Sequence, residues 1–145
     1  MRIDEIASQL SAVVVHPHVL RDPAQLAPLG ELVALENMDV QKPGGRDVAE
    51  LESYFDALPQ ARFCLDVAHV ETVDPTMELA HAFLDAFGER LCELHVSGID
   101  ANCRHVELAL ADVERYEPVL HHCRHVPWIL ESFPADSEST SAIQR

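Results

Sequence analysis

The chain has 145 residues, 48% of them hydrophobic, which is enough for one domain with a sizeable core and too apolar for a disordered chain. It carries 25 acidic and 10 basic residues, a formal net charge of −15, and a surface of that sign repels phosphate backbones, so nucleic acid is a poor candidate partner. No apolar run approaches the roughly 18 residues of a membrane span, and the start lacks a signal-peptide pattern. The sequence therefore predicts a cytoplasmic protein with no membrane partner.

Five short apolar runs recur along the chain, and each has the composition of a β-strand with little alternation between its two faces. Runs that are apolar on both faces are typical of a parallel sheet covered by helices. The five runs are residues 12–16, 31–36, 62–66, 91–95 and 127–131.

Helical patterns precede and separate the first strands. The first ten residues have an amphipathic pattern, and Asp22-Pro23 has the cap-then-proline signature of a short helix. Residues 46–58 predict a longer helix. Its apolar face comprises Val48, Leu51, Tyr54, Phe55 and Leu58.

Two more helices are predicted in the second half of the chain. Asp74-Pro75 repeats the cap signature and predicts a helix start there, with an apolar stripe of Leu79, Ala82, Phe83 and Ala86. A last helix is predicted over 111–123, around Val113, Tyr116, Val119 and Leu120.

The alternation of strands and helices predicts right-handed βαβ units and a parallel sheet in one domain over residues 1–132. The remaining residues, 133–145, are polar and are predicted to be a disordered tail. The four cysteines, Cys64, Cys92, Cys103 and Cys123, form no CxxC pair, which favours free thiols in a reducing compartment.

Each of the five apolar runs ends in a residue that can bind a divalent metal. Because ligand sites of parallel α/β folds form at the carboxyl ends of the strands, we expect these side chains to share one site. The mixture of carboxylate oxygens and imidazole nitrogens suits Mn²⁺, Co²⁺, Mg²⁺, Fe²⁺ or Zn²⁺. The five residues are His16, Glu36, Asp66, His95 and Glu131.

Six short motifs occur in an order that resembles the xylose isomerase-like TIM-barrel superfamily, which includes sugar isomerases, sugar epimerases and endonuclease IV. The resemblance implies an α/β fold, a partial (β/α) barrel of about five parallel strands that corresponds to the last five βα units. The motifs are HPH (16–18), ENMD (36–39), DVAH (66–69), LHVSG (94–98), RH (104–105) and LES (130–132).

The resemblance also implies roles for individual residues. Glu36, Asp66, His95 and Glu131 match the four metal ligands of single-metal sugar epimerases, in which the two glutamates are also catalytic and move the substrate proton. His69 matches a substrate-binding residue of the epimerases and a metal ligand of endonuclease IV.

Three further residues are candidates for the same site. His16 and His105 match additional metal ligands of endonuclease IV, so both are candidate ligands here. Arg104 lies in a loop at the strand-end face, where it and His105 are candidates for binding the substrate.

The function predicted first is a metal-dependent isomerase or epimerase that acts on a sugar or sugar phosphate by proton transfer next to a carbonyl. The first alternative is an endonuclease IV-type multi-zinc phosphodiesterase, which the extra histidines favour and the charge of −15 opposes. The second alternative is a truncated barrel without catalytic activity.

A complete barrel of this kind needs eight βα units and typically ~250 residues. Five strands leave two sheet edges open. The sequence therefore predicts either part of a longer barrel or a chain that completes itself by pairing with another chain, for example as a homo-oligomer.

Overall fold

A computed structural model describes residues 11–132, and two sheets lie within that range. The larger sheet contains five parallel strands, and the smaller one is an antiparallel pair. In chain order the strands are β1 (Val13–Val15), β2 (Val33–Glu36), β3 (Arg62–Asp66), β4 (Leu91–Val96), β5 (Gly98–Ile99), β6 (His105–Val106) and β7 (Trp128–Leu130).

Helices connect the strands of the larger sheet. The α-helices are α1 (Val48–Ala57), α2 (Val67–Val73), α3 (Glu78–Phe87) and α4 (Leu110–Leu120). Shorter 3₁₀ segments span Pro17–Val19, Pro23–Leu32, Gly88–Arg90 and His121–Cys123.

The five parallel strands lie in the order β1-β2-β3-β4-β7 and form a curled half-barrel, which confirms the predicted partial (β/α) barrel. Asp66 pairs with His95 across β3 and β4, and His95 pairs with Ile129 across β4 and β7. This register sets the ends of neighbouring strands at the same level, so the side chains there can reach one another.

The core explains why the central strands are apolar on both faces. All of β2 is buried, with Val33, Ala34 and Leu35 at 0% exposure. The ring centroids of Phe55 on α1 and Phe87 on α3 lie 4.6 Å apart, so these two helices meet over one face of the sheet. The predicted apolar face of α1 is confirmed, since each of its members is buried or packs against the core.

The predicted helix start at Asp74 is wrong. Asp74 instead ends α2, a helix that follows β3 directly and that the sequence pattern did not reveal. Its carboxylate then accepts hydrogen bonds from the backbone N–H groups of Thr76 and Leu79, at 3.0 and 2.8 Å. The cap residue therefore closes a turn between two helices, and α3 begins only at Glu78.

Two apolar stripes also differ from expectation. In α3 the buried residues are Ala80, Phe83 and Phe87, whereas Ala86 faces solvent, because the two phenyl rings one turn apart set the inward face. In α4, Val113 is 38% exposed. The buried residues of α4 are Tyr116, Val119 and Leu120.

The two edges of the larger sheet are β1 and β7. Every residue of β7 is exposed, with Trp128 at 43%, Ile129 at 41% and Leu130 at 65%. The predicted first helix and the predicted tail lie outside the described residues. Among residues 11–132, no helix is both long and apolar enough to cross a membrane.

Candidate metal centre

Four of the predicted ligands meet at the carboxyl edge of the parallel sheet. Glu36 and Asp66 end β2 and β3, His95 is the last residue but one of β4, and Glu131 follows β7. One ligand atom from each of the four lies within 4.8 Å of those of the other three. We call this set the first ligand group.

Three atoms of the first ligand group are buried without a hydrogen-bond partner: Glu36 Oε1, Asp66 Oδ2 and His95 Nδ1. The residues that carry them are 1%, 1% and 5% exposed. Leaving a buried polar atom unsatisfied costs about 1–3 kcal/mol, and more when the group is charged. A cation bound between the three atoms would satisfy all of them, so the donor set fits a divalent metal.

The orientation of His95 leaves one ring nitrogen open to a ligand. His95 Nε2 lies 2.9 Å from Glu93 Oε1, and a carboxylate can only accept, so the ring donates from Nε2. His95 Nδ1 then faces Glu131 Oε1 at 3.4 Å and Glu36 Oε1 at 3.7 Å. Contacts of this kind orient the histidine ligands of metal sites.

The DVAH motif places Asp66 and His69 on one side of a strand-to-helix junction. Asp66 ends β3 and caps α2, since its Oδ1 accepts a hydrogen bond of 2.8 Å from the backbone N–H of His69. The cap uses one carboxylate oxygen and leaves the other, Oδ2, for the site. The spacing of three residues therefore has a structural cause and brings the imidazole beside the carboxylate, with Nδ1 and Oδ2 3.7 Å apart.

A second ligand group consists of Asp66, His69 and His105, whose ligand atoms lie within 4.8 Å of one another. His69 Nε2 and His105 Nε2 approach to 3.2 Å. The other nitrogen of each ring already has a hydrogen-bond partner. His69 Nδ1 donates to the Asn37 carbonyl at 2.9 Å, and His105 Nδ1 contacts Ser97 Oγ at 2.7 Å. The two facing nitrogens therefore need either a shared proton or a cation between them.

Asn37 joins the strand ends that carry the ligands. Its side-chain amide donates from Nδ2 to the Asp66 carbonyl at 2.9 Å, and its Oδ1 accepts from the Asp66 N–H at 2.8 Å. Its backbone carbonyl holds His69 Nδ1. Asn37 is completely buried, so water does not compete for these bonds.

His16 and Glu131 lie at opposite edges of the sheet, and only Glu131 is a member of the first ligand group. His16 Nε2 lies 3.2 Å from Glu36 Oε2, with its side chain half exposed, and it belongs to neither ligand group. Glu131 also reaches the second ligand group, because its Oε2 is 3.8 Å from His105 Nε2. The site opens to a cleft of about 440 Å³, which is lined by His16, Glu36, His105, Ile129, Leu130 and Glu131.

Burial and charge act in opposite directions on the two central carboxylates. Burial raises the pKa of Asp66 above its usual range. Burial also acts to raise the pKa of Glu36, but contacts with His16, His69 and His95 outweigh it and hold that pKa far below its usual range. For His69, burial lowers the pKa, whereas the carboxylates of Glu36 and Asp66 raise it to about 9.

The structure does not bring Arg104 to either ligand group. Its guanidinium binds Asp100 in the same loop at 2.7 Å, and the side chain is 74% exposed. In the loop after β2, Lys42 lies 3.6 Å from an oxygen of Asp39. A role for Arg104 in binding the substrate stays a prediction.

Sequence reasoning overlooked three residues that hold the site together: Asn37, Glu93 and Ser97. A signal existed for Glu93, because residues two apart on a strand share a face and Glu93 precedes His95 by two. Asn37 directly follows Glu36 in the ENMD motif, but only the folded chain shows that its side chain reaches the neighbouring strand. Ser97 is brought to His105 by the β5–β6 hairpin, which the pattern did not predict.

No family model and no curated protein matches the chain. Among solved structures, the chain is similar to an AP endonuclease from ASFV, described as "The crystal structure of AsfvAP:AG", with a TM-score of 0.59 and 14% sequence identity. The match covers 96% of this chain and 63% of that one, so this chain spans less than two thirds of that protein's length. The likeness extends to the fold, a parallel half-barrel of the TIM type.

Proposed function

We propose that the chain is a metal-dependent phosphodiesterase of the endonuclease IV type that binds at least two divalent ions. The observation that carries the proposal is the second ligand group of Asp66, His69 and His105, which shares Asp66 with the first. The fold likeness to an AP endonuclease supports the same reaction class.

The number of ligands supports more than one ion. The first ligand group alone supplies the four protein ligands that a tetrahedral zinc site uses. His69 and His105 exceed that number, and their facing nitrogens are 3.2 Å apart. Two divalent ions would also balance the charge of the four carboxylates that converge here: Glu36, Asp66, Glu93 and Glu131.

Zinc is the first choice of metal, followed by manganese, cobalt or iron. Imidazole nitrogens form a large part of the donor set, and nitrogen ligands favour these ions over magnesium, which prefers oxygen and water. The bound ions would supply Lewis-acid polarisation of a phosphoryl group.

The chain's own residues would bind and orient the substrate. Glu131, at 34% side-chain exposure, is the most solvent-accessible member of the first ligand group and stands where a substrate enters from the cleft. His105 lines the same cleft, so both side chains are placed to contact a phosphodiester. Glu36 and Asp66 lie beneath them and are almost completely buried.

Charge favours a small phosphodiester over tight binding of a long polynucleotide. A net charge of −15 repels a phosphate backbone. Lys42, in the loop after β2, and Arg104, in the turn between β5 and β6, are already paired with Asp39 and Asp100. The cleft of about 440 Å³ is within the range of small-molecule sites.

The proposal is tested by counting metals and assaying hydrolysis in one preparation. Elemental analysis of zinc-loaded chain is expected to give two or more ions, and the loaded chain is expected to cleave bis(p-nitrophenyl) phosphate or a DNA duplex with an abasic site. Glu131→Gln should lower turnover by about 100-fold or more and leave the circular dichroism spectrum unchanged. The control, Glu117→Gln, changes an exposed helix residue and should retain activity. A zinc-loaded chain inactive on both substrates would exclude the hydrolase.

A single-metal sugar isomerase or epimerase is the second candidate function. The first ligand group favours it, because those four residues suffice for one ion, and the two glutamates, Glu36 and Glu131, approach the same His95 nitrogen. One bound metal per chain, with proton exchange on an open-chain sugar, would support this candidate. The second ligand group has no role in it beyond contact with the substrate, which is why the phosphodiesterase is preferred.

A further inference from the structure

Cys64 lies directly beneath the metal centre. It is two residues before Asp66 on β3, and alternation along a strand puts both side chains on the same face. Its backbone pairs with Glu36 on β2 and with Glu93 on β4. The thiol is completely buried, yet its strand neighbours on both sides are acidic residues of the site.

The thiol belongs to a group of possible ligands that the sequence did not predict. The sulfur of Cys64, one Glu36 oxygen and one His95 nitrogen lie within 4.8 Å of one another. An independent observation points to a ligand at this place, since Glu36 Oε1 and His95 Nδ1 are buried and have no hydrogen-bond partner. A bound cation would give both atoms a partner, whereas apolar side chains packed around them would not.

We propose that the Cys64 thiolate is a ligand of the ion held by Glu36 and His95, and that it makes the site select zinc and similar sulfur-binding ions over magnesium. Soft sulfur ligands raise affinity for Zn²⁺ and Co²⁺, whereas Mg²⁺ prefers oxygen. This inference rests on the metal centre of the proposed function and is independent of the reaction catalysed there.

An ordinary buried cysteine of this protein looks different. Cys123 is also 0% exposed, but it lies in the core between α4 and β7, and no ligand group among the described residues includes it. A buried thiol that serves only as a small apolar side chain is expected to be surrounded by apolar side chains, as Cys123 is. Cys64 instead borders Glu36 and His95, two side chains with unsatisfied polar atoms.

The test uses the full chain, stripped of metal and titrated with Co²⁺. A cobalt–thiolate bond produces a sulfur-to-metal charge-transfer band in the near ultraviolet, which oxygen and nitrogen ligands do not produce. We expect the band in the unaltered chain and in Cys123→Ser, and we expect it to be absent in Cys64→Ser. Zinc affinity should fall by about 10-fold or more in Cys64→Ser, with magnesium affinity nearly unchanged.

A second measurement needs no variant, so it holds even if Cys64→Ser fails to fold. X-ray absorption at the zinc edge of the loaded chain is expected to show a sulfur neighbour at about 2.3 Å. Bound zinc without a sulfur neighbour would overturn the role of Cys64 and leave the metal centre intact. A chain that binds neither zinc nor cobalt would overturn both the inference and the proposed function.

Discussion

Asn37 and Asp66 are joined by two hydrogen bonds between the side-chain amide of one and the backbone of the other, at 2.8 and 2.9 Å. The side-chain amide thus continues the hydrogen bonding between β2 and β3 by one residue beyond the end of β2. Because the backbone carbonyl of Asn37 also holds His69, one buried residue fixes the positions of two candidate ligands.

We expect Asn37→Ala to weaken zinc binding by about 10–100-fold, the usual effect of removing a group that orients metal ligands. It should also destabilise the fold by about 1–3 kcal/mol, since the backbone N–H and C=O of Asp66 lose their buried partners. Competition titration with a chelating dye measures the affinity, and chemical denaturation measures the stability. The control, Asn102→Ala, removes an exposed loop amide. Equal zinc affinity in both variants would show that Asn37 does not position the ligands.

Zinc affinity is expected to rise with pH up to about 9. Carboxylates beside His69 raise its pKa to about 9, so the ring carries an extra proton at neutral pH and must lose it to bind metal. Lowering the pH therefore favours the proton over the ion, and affinity should fall by about tenfold per pH unit for each proton displaced. Titrations across this range, with proton release followed in weak buffer, measure the slope. A flat profile would mean that His69 is not a ligand.

The four thiols are expected to differ in reactivity. Cys92 and Cys103 are partly exposed, whereas Cys64 and Cys123 are buried, and burial raises the pKa of Cys123 to about 11. Since the thiolate is the reactive form, a thiol reagent at pH 8 should label about two cysteines in the folded chain and the other two only after unfolding. Mass mapping of the labelled peptides identifies them. Rapid labelling of Cys123 in the folded chain would contradict the packing of α4 against the sheet.

Self-association is expected through the exposed edge strand β7. Its three apolar residues are each more than 40% exposed, and the outer side of this edge strand offers a row of backbone hydrogen-bonding groups. Sedimentation at several protein concentrations should show a coefficient that rises with concentration. Leu130→Lys should reduce the rise, whereas Leu110→Lys, which changes an exposed residue at the start of α4, should not. A concentration-independent monomer would show that the edge is protected.

The order and direction of the strands could be predicted from the sequence because the signals are local. An apolar run such as residues 62–66 is too short for a typical helix, and its lack of alternation indicates burial on both faces. Parallel strands then bring their carboxyl ends to one edge, so the amino-acid pattern alone was enough to place Glu36, Asp66 and His95 together.

The errors in the predicted helix boundaries arose where one residue belongs to the junction of two secondary-structure elements. Asp74 has the features of a helix cap, but its carboxylate closes a turn across two helices, and a single sequence does not distinguish the two uses. Asp66 is both the end of β3 and the cap of α2, which leaves no loop between them to mark the second helix.

The second ligand group could be foreseen only from the family resemblance. His69 and His105 are 36 residues apart, and the approach of their rings depends on how the β5–β6 hairpin folds back over the sheet. The contact between His95 and Glu93 could be predicted, because side chains two residues apart on a strand share a face. The contact of Ser97 with His105 could not, because it depends on the β5–β6 hairpin.

Every strand of the parallel sheet pairs only with the parallel strands before and after it in the chain. The βα units thus form a nearest-neighbour array, in which local unfolding starts at the ends and proceeds inward. Glu36, Asp66 and His95 are on the three inner strands, and Glu131 follows an outer one. Fraying of β7 would therefore release Glu131 first, so under the proposed function the ligand nearest the substrate would also be the one that leaves and returns while the inner three hold the ion.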